Sequence, residues 1–177
     1  GISTLGYHFL GGMLAHASAI CAITNPTVNS YKRINAPRTT SGATWSPNTI
    51  TYGGNNRTHM VRIPDPGRFE FRLADGAANP YLMPAAVITA GLDGIVNGTE
   101  PGKRLDIDMY TEGHKARSAK TLPLNLLDAI RAMEKNKVLA SGLGGETVKA
   151  FAKLKYGEWN EFKRHLSSWE REYTLDC

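Results

Sequence analysis

Apolar positions recur at three-to-four spacing through Leu5, Phe9, Leu10, Met13, Leu14, Ala17 and Ile20, a pattern that predicts one helix over 3–24 with a single buried face. Ser3 is placed to cap it, and Asn25, biased out of helical geometry by Pro26, should end it. Gly11 and Gly12 lower helix propensity but let a second backbone approach closely. The stretch 34–55 is rich in Thr, Ser, Pro, Gly and Asn and reads as a long loop holding one strand at 44–52. Beyond it the period changes to two. Runs at 58–63 and 68–73 flank the turn signal Pro64-Asp65-Pro66-Gly67 and predict a hairpin. Alternation puts Arg68, Glu70 and Arg72 on one face of its second strand and Phe69, Phe71 and Leu73 on the other. From the pattern alone, that charged face is either a solvated surface or a binding site.

Helical period returns after Asn79-Pro80, where Asn suits the N-cap and Pro the first helical position. Tyr81, Leu82, Ala85, Ile88, Thr89 and Leu92 carry this helix to about residue 95, and Pro84 must remove one of its backbone hydrogen bonds. The polar stretch 97–123 should run over the surface. A short helix is predicted over 124–133 and a long one over 146–173, irregular near Gly157, whose aromatic stripe through Trp159, Phe162, Trp169 and Tyr173 reads as core. The predicted class is therefore α+β, an antiparallel sheet packed against helices, with a helical C-terminal portion.

Length and composition fit one domain: the chain has 177 residues, 41% of them hydrophobic, enough for a core. The apolar runs are short or amphipathic, so the expectation is a cytoplasmic protein with no membrane partner. Cys21 and Cys177 are too few and too distant for a disulfide framework and are expected to be free thiols. His8 and His16 stand two turns apart on the first helix, the wrong spacing for an i, i+4 ligand pair, and read as packed or hydrogen-bonded residues.

Charge changes the picture. Between Lys32 and Arg72 lie seven cations and two anions, so this stretch carries the whole chain's net charge of +5. The cations are mostly Arg, which suits bidentate recognition of carboxylate or phosphate better than a solvated basic face would. No nucleic-acid motif accompanies them, and no nucleic-acid partner is expected. Phosphate-loop, dinucleotide, serine-elbow and Cys/His signatures do not occur either. What remains is a set of arginines around Glu70. A strand carboxylate between arginines can bind a hard divalent cation while its neighbours hold phosphate or carboxylate oxygens, which is equipment for phosphoryl transfer.

The runs Asn25-Pro-Thr-Val-Asn-Ser-Tyr-Lys-Arg33, Asn56-Arg57, Arg62-Ile-Pro64, Arg68-Phe-Glu-Phe-Arg72, Asp75-Gly-Ala-Ala-Asn-Pro-Tyr-Leu82 and Ala90-Gly-Leu-Asp-Gly94 resemble, in order, the C-terminal part of the glutamine synthetase catalytic domain. The resemblance is dense over 5–97 and thinner beyond. Arg33-Ile-Asn-Ala-Pro and the ending Thr174-Leu-Asp-Cys177 look like the type III branch, which shades into γ-glutamylmethylamide synthetase. It implies that residues 1–177 are a single C-terminal fragment, inactive alone, with a β-grasp-like N-terminal domain and the first part of the catalytic domain outside it. It also implies an ATP-dependent ligase that forms γ-glutamyl phosphate from glutamate and ATP and passes the γ-glutamyl group to ammonia. Methylamine is the alternative acceptor, and a non-catalytic anion-binding relative is the alternative class.

Carried over by position, Arg33, Arg57 and Arg72 resemble the glutamate-binding arginines, and Arg57 the catalytic one at the transferring phosphoryl group. Arg62 and Arg68 join Arg57 on the ATP side, and Glu70 matches a ligand of Mg²⁺ or Mn²⁺. The family's stacked-ring homo-oligomers, with sites shared between subunits, are expected as well. Two departures stand out. The loop after Arg33 reads Ile-Asn-Ala-Pro-Arg-Thr-Thr, and no Asp or Glu occurs over 34–64, where the family carries a glutamate that helps deprotonate ammonium. The segment between Arg62 and Arg68 is also short and lacks the usual ATP-side lysine. Tyr110 falls near a tyrosine that some bacterial relatives adenylylate, but the following sequence differs and that regulation is not expected here.

Overall fold

The computed structural model describes residues 1–34, 36 and 46–174. Helices α1 (Thr4–Ala15), α2 (Ala17–Thr24) and α3 (Val28–Ile34) come first, then strands β1 (Tyr52–Gly53), β2 (Val61–Asp65) and β3 (Arg68–Phe71). Helix α4 (Leu82–Asn97), the short α5 (Met109–Glu112) and a 3₁₀ turn (Gly113–Lys115) precede α6 (Leu126–Glu134), α7 (Lys137–Leu143), α8 (Gly145–Phe162) and α9 (Ser168–Tyr173). A core of Leu10, Met13, Ile20, Leu73, Ile130 and Met133, all fully buried, lies between α1–α2, the exit of β3 and α6.

Ser3 caps α1 by accepting from the Gly6 amide at 3.1 Å, as expected, but the single helix predicted over 3–24 is two. The break is at His16, whose backbone (φ −100°, ψ 8°) leaves the helical region. Its ring is held by the Asp93 carboxylate at 2.8 Å and the Asn136 amide at 2.8 Å, while its own amide still donates to the Gly12 carbonyl and its carbonyl accepts from the Ile20 amide. Gly12 and Gly94 give the close approach their residue type suggests: a Cβ on Gly12 would stand 2.1 Å from the Ala90 carbonyl oxygen, so α1 and α4 meet backbone to backbone. Asn79 accepts from the amides of Tyr81 (2.9 Å) and Leu82 (3.1 Å) in the turn that leads into α4, which begins at Leu82 and not at Pro80, and Gly98 in the left-handed region (φ 58°) ends it.

The hairpin is present. β2 and β3 pair antiparallel with Arg62 opposite Glu70, and Gly67 (φ 76°) supplies the positive φ of the turn. The sheet as a whole is mixed rather than antiparallel, because β1 runs parallel to β2 with Tyr52 opposite Val61. The return is tight, closed by Asn56, whose side-chain oxygen accepts from the Thr58 amide (2.9 Å) and hydroxyl (2.8 Å). Of the strand expected over 44–52, Tyr52 alone belongs to β1, Thr49 forms an isolated bridge with Thr121, and 44–45 lie outside the described residues.

The long C-terminal helix is also two. Its break falls at 163–167, not at Gly157, because Ser167 and Glu170 form a reciprocal capping box that starts α9 afresh. Helix α7, absent from the sequence prediction, starts on Asn136, which accepts from the Leu139 amide at 3.0 Å. The stripe read as core divides: Trp159 packs on the core, while Trp169 and Tyr173, stacked at 5.2 Å on α9, are exposed.

Candidate active site

Cross-strand pairing brings Arg62 against Glu70, and the two-residue period of β3 and its exit puts Arg72 on the same face. Arg62 donates from Nε (3.0 Å) and Nη2 (2.7 Å) to Glu70 Oε2, and Arg72 donates from Nη1 to Glu70 Oε1 at 2.8 Å. The Arg62 hydrogen bonds first, then those of Arg72, hold the Glu70 carboxyl below its ordinary pKa against the opposing effect of burial. Glu70 is therefore a clasped carboxylate rather than part of a solvated face. Its partners in space are Arg62 and Arg72. Arg68, its neighbour in sequence, turns away to Asp65 at 2.6 Å.

A cleft of about 700 Å³ opens beside this clasp, lined by Arg57, Arg62 and Arg68 together with Asn55, Thr58 and Asp108. Of its three arginines, Arg62 is neutralised by Glu70 and Arg68 by Asp65. Among the described residues the exposed Arg57 guanidinium makes no ion pair, and the Asp108 carboxylate lines the same cleft. Asn55, which accepts from Arg62 Nη1 at 2.8 Å, and Asp108 are cleft residues that sequence reasoning missed.

Arg33 and Arg72 form a second group. Arg33, half-buried at the C-terminal end of α3, donates from Nη2 to the Leu73 carbonyl, which also accepts from buried Asn25 at 2.9 Å. Burial lowers the Arg33 pKa and the nearby Arg72 lowers it further, while the Asp75 carboxylate opposes both. Its Nε is buried with no hydrogen-bond partner among the described residues. Arg72 bridges the two groups by donating from Nε to the Arg57 carbonyl at 3.0 Å.

The segment 106–109 holds the cleft wall in place. Asp106 accepts from the Gly54 amide (3.1 Å), the Ile107 carbonyl accepts from Asn56 Nδ2 (2.9 Å), and the Met109 amide donates to the Thr58 hydroxyl (2.9 Å). Fully buried His59 contacts the Ile107 carbonyl through Nε2 (3.1 Å) and Thr51 through Nδ1 (2.9 Å). A carbonyl can only accept, so Nε2 carries a proton, and burial lowers the His59 pKa against the opposing Ile107 hydrogen bond. Tyr110 donates its hydroxyl to the Ser46 carbonyl at 2.9 Å, a half-buried bonded phenol. His8 and His16 pair separately, with Glu100 at 3.1 Å and Asp93 at 2.8 Å.

Among the described residues no three His, Cys, Asp or Glu side chains gather as a metal shell. Glu70 offers one carboxylate, and three of its roughly four lone-pair positions are taken by arginine N–H groups, which leaves one on Oε1. Among the described residues Glu70 is thus a single donor and not part of a coordination sphere.

Arg62 and Arg72 hold Glu70, and Arg57, Arg62 and Arg68 line the open cleft, an array of N–H donors of the kind that phosphate and carboxylate oxygens accept from. The sequence pattern of the glutamine synthetase catalytic domain matches residues 1–174, and the chain belongs to that family. It is 61% identical to a glutamine synthetase of Rhizobium leguminosarum bv. phaseoli, over 99% of this chain and 40% of that protein. It is 47% identical to a glutamate–methylamine ligase of Methyloversatilis universalis, again over 99% of this chain and 40% of the relative. The fold superposes on a solved GmaS–ADP complex with a TM-score of 0.93 at 66% identity, covering 100% of this chain and 41% of that one. The chain therefore spans about two fifths of the length of these relatives.

Proposed function

We propose that the whole protein is an ATP-dependent ligase that phosphorylates the γ-carboxylate of glutamate and transfers the γ-glutamyl group to ammonia or a small amine. The observation that carries this reading is the division of the arginines. Arg57, Arg62 and Arg68 line the open cleft and suit the nucleotide phosphates, while Arg33, docked on the Leu73 carbonyl, and Arg72, the residue before Leu73, stand near each other and suit the carboxylates of glutamate. Arg57, without an ion pair among the described residues, is the cation for the transferring phosphoryl group. A γ-carboxylate oxygen attacks the terminal phosphorus of ATP and ADP leaves. The amine nitrogen then attacks the γ-carbon, phosphate leaves, and the amine gives up a proton. Family membership supports the use of ATP with a divalent cation, Mg²⁺ or Mn²⁺, toward which Glu70 offers one oxygen. The remaining ligands, the residues from a neighbouring subunit and a homo-oligomeric, cytoplasmic enzyme belong to the same proposal.

Methylamine is a specific second acceptor. The 66% identical GmaS structure and the acid-free stretch 34–64 both favour it, since a missing loop carboxylate removes negative charge that would select the ammonium cation and leaves space for a methyl group. The test is competition between ammonia and methylamine at fixed ATP and glutamate in the full-length protein. We expect kcat/KM for methylamine within about tenfold of that for ammonia, a margin of about 1.4 kcal/mol in transition-state binding. A methylamine value several hundredfold lower would leave ammonia as the substrate and require a carboxylate from outside residues 1–177. Phosphate release in the absence of both amines would argue against the ligase itself.

A further inference from the structure

Helix α3 is seven residues long, too short to hold its own orientation, and it carries Arg33 one residue from its end. Its first turn is tied down from within by Thr27 and Ser30: the Thr27 amide donates to the Ser30 hydroxyl (3.1 Å) and the Ser30 amide to the Thr27 hydroxyl (3.2 Å). The Val28 amide, the first helical N–H, is one that no intrahelical acceptor can reach. It donates to Glu158 Oε1 at 3.1 Å, 130 residues away on α8. The other oxygen of Glu158 accepts from Lys155 at 2.9 Å. This ion pair is not a loose surface contact, because the side chains are 13% (Lys155) and 31% (Glu158) exposed and Lys155 also lies 5.8 Å from the centre of the Phe151 ring.

We infer that Glu158 is a positioning residue for substrate binding: it fixes the start of α3 and so sets where Arg33 points. The inference rests on the reading of Arg33 as a glutamate ligand. The lever is short. Arg33 lies five residues, about 7.5 Å along the axis, beyond Val28. Tyr31 between them and Ile34 just beyond Arg33, both buried, make α3 move as one piece. At the far end the Arg33 guanidinium is already docked on the Leu73 carbonyl, so a small tilt of α3 either breaks that bond or re-aims the unpaired Nε. The geometry also explains a carboxylate here rather than a neutral acceptor, since a charge-assisted bond at a helix start is stronger and the helix dipole favours the anion.

The test is steady-state kinetics of the full-length protein with glutamate and ATP varied separately. Glu158→Ala should raise the glutamate KM about tenfold while leaving the ATP KM within about twofold, because Arg33 belongs to the carboxylate group and not to the cleft. Glu158→Gln, which keeps an oxygen facing Val28, should recover most of the loss. Val28→Pro removes the donor at a position where proline suits the helix, and should reproduce the Glu158→Ala shift without adding to it in the double variant. A lower melting temperature with an unchanged glutamate KM in all three would reduce Glu158 to a structural contact and overturn the inference, as would additive shifts in the double variant. Arg33→Lys separates the two levels: if it leaves the glutamate KM unchanged, the reading of Arg33 fails first. If Arg33→Lys raises the KM and neither Glu158→Ala nor Val28→Pro does, the reading stands and the positioning role alone is wrong.

Discussion

Gly12→Ala should destabilise the protein even though alanine is the better helix former. Helix propensity favours the change by about 0.8–1 kcal/mol, because Gly12 lies inside α1. Against this, the new methyl would stand 2.1 Å from the Ala90 carbonyl oxygen, 2.7 Å from the Gly94 amide nitrogen and 2.8 Å from the Gly94 Cα. These are backbone atoms, and no rotamer change relieves them. Restoring an ordinary carbon–oxygen separation of roughly 3.3 Å requires α4 to retreat by about 1.2 Å along a face that includes buried Met13, Ala86 and Ala90. Overpacking of this kind costs about 3 kcal/mol, the upper part of its usual range, which leaves a net loss of about 2 kcal/mol. For a domain of this size that corresponds to a melting temperature about 4–8 °C lower. Gly157→Ala is the control of opposite sign: its Cβ meets nothing within 4 Å on exposed α8, so only propensity acts and the melting temperature should rise by about 2–4 °C. Differential scanning fluorimetry of both full-length variants reads the two signs. If Gly12→Ala melts at or above wild type, the backbone contact between α1 and α4 is not as described.

Glu70→Gln in the full-length protein should lower turnover roughly hundredfold or more, with a stability change under about 1 kcal/mol because the Glu70 side chain is 35% exposed; unimpaired turnover with unchanged metal dependence would return Glu70 to a surface role. The arginines hold its folded pKa below the ordinary 4.5, so its stabilising contribution is present above that value and lost as pH falls through the lower folded pKa. Acid titrations followed by circular dichroism should therefore show wild type losing stability below about pH 4.5 more steeply than Glu70→Gln, and parallel curves would contradict the clasp. Burial pushes the Cys21 thiol up to about 12, so peptide mapping after alkylation at pH 8 should find Cys21 unlabelled in the native protein and labelled only in denaturant. Labelling of native Cys21 would show that α2 opens or packs differently.

What the sequence made legible is what local chemistry decides. Ser3, Asn79 and Gly67 act within a few residues of themselves, and the cap, the turn into α4 and the hairpin turn are where their types predict. The charged face of β3 follows from a period of two, and Glu70 stands among arginines as that period requires. The pairing across the hairpin is less legible, because register depends on the turn, and it brings Arg62 to Glu70 where the strand pattern puts Arg68. The misplaced helix break has a local explanation as well: Ser167 with Glu170 is a capping-box signature within an apolar period strong enough to hide it. The kink at His16 has none, since Asp93 and Asn136 lie 77 and 120 residues away.

The same distinction runs through the candidate site. Its charged groups come from a span of about forty residues, but the contacts that aim them do not. The Ile107 carbonyl and Met109 amide fix the turn that carries Arg57, and Glu158 fixes the helix that carries Arg33. Neither contact leaves a residue pattern, because backbone amides and carbonyls occur at every position and a lone glutamate on an amphipathic helix looks like solvated surface. Arg72 ties the two halves together, with one nitrogen on Glu70 and another on the Arg57 carbonyl, so displacement of β3 moves both groups of arginines at once. A site built this way tolerates change on the outer face of α8 at Leu154, which is 67% exposed, and not one turn further along at Glu158. The helical C-terminal portion, where the family resemblance in the sequence is thinnest, therefore takes part in the site through the Glu158 carboxylate on α8.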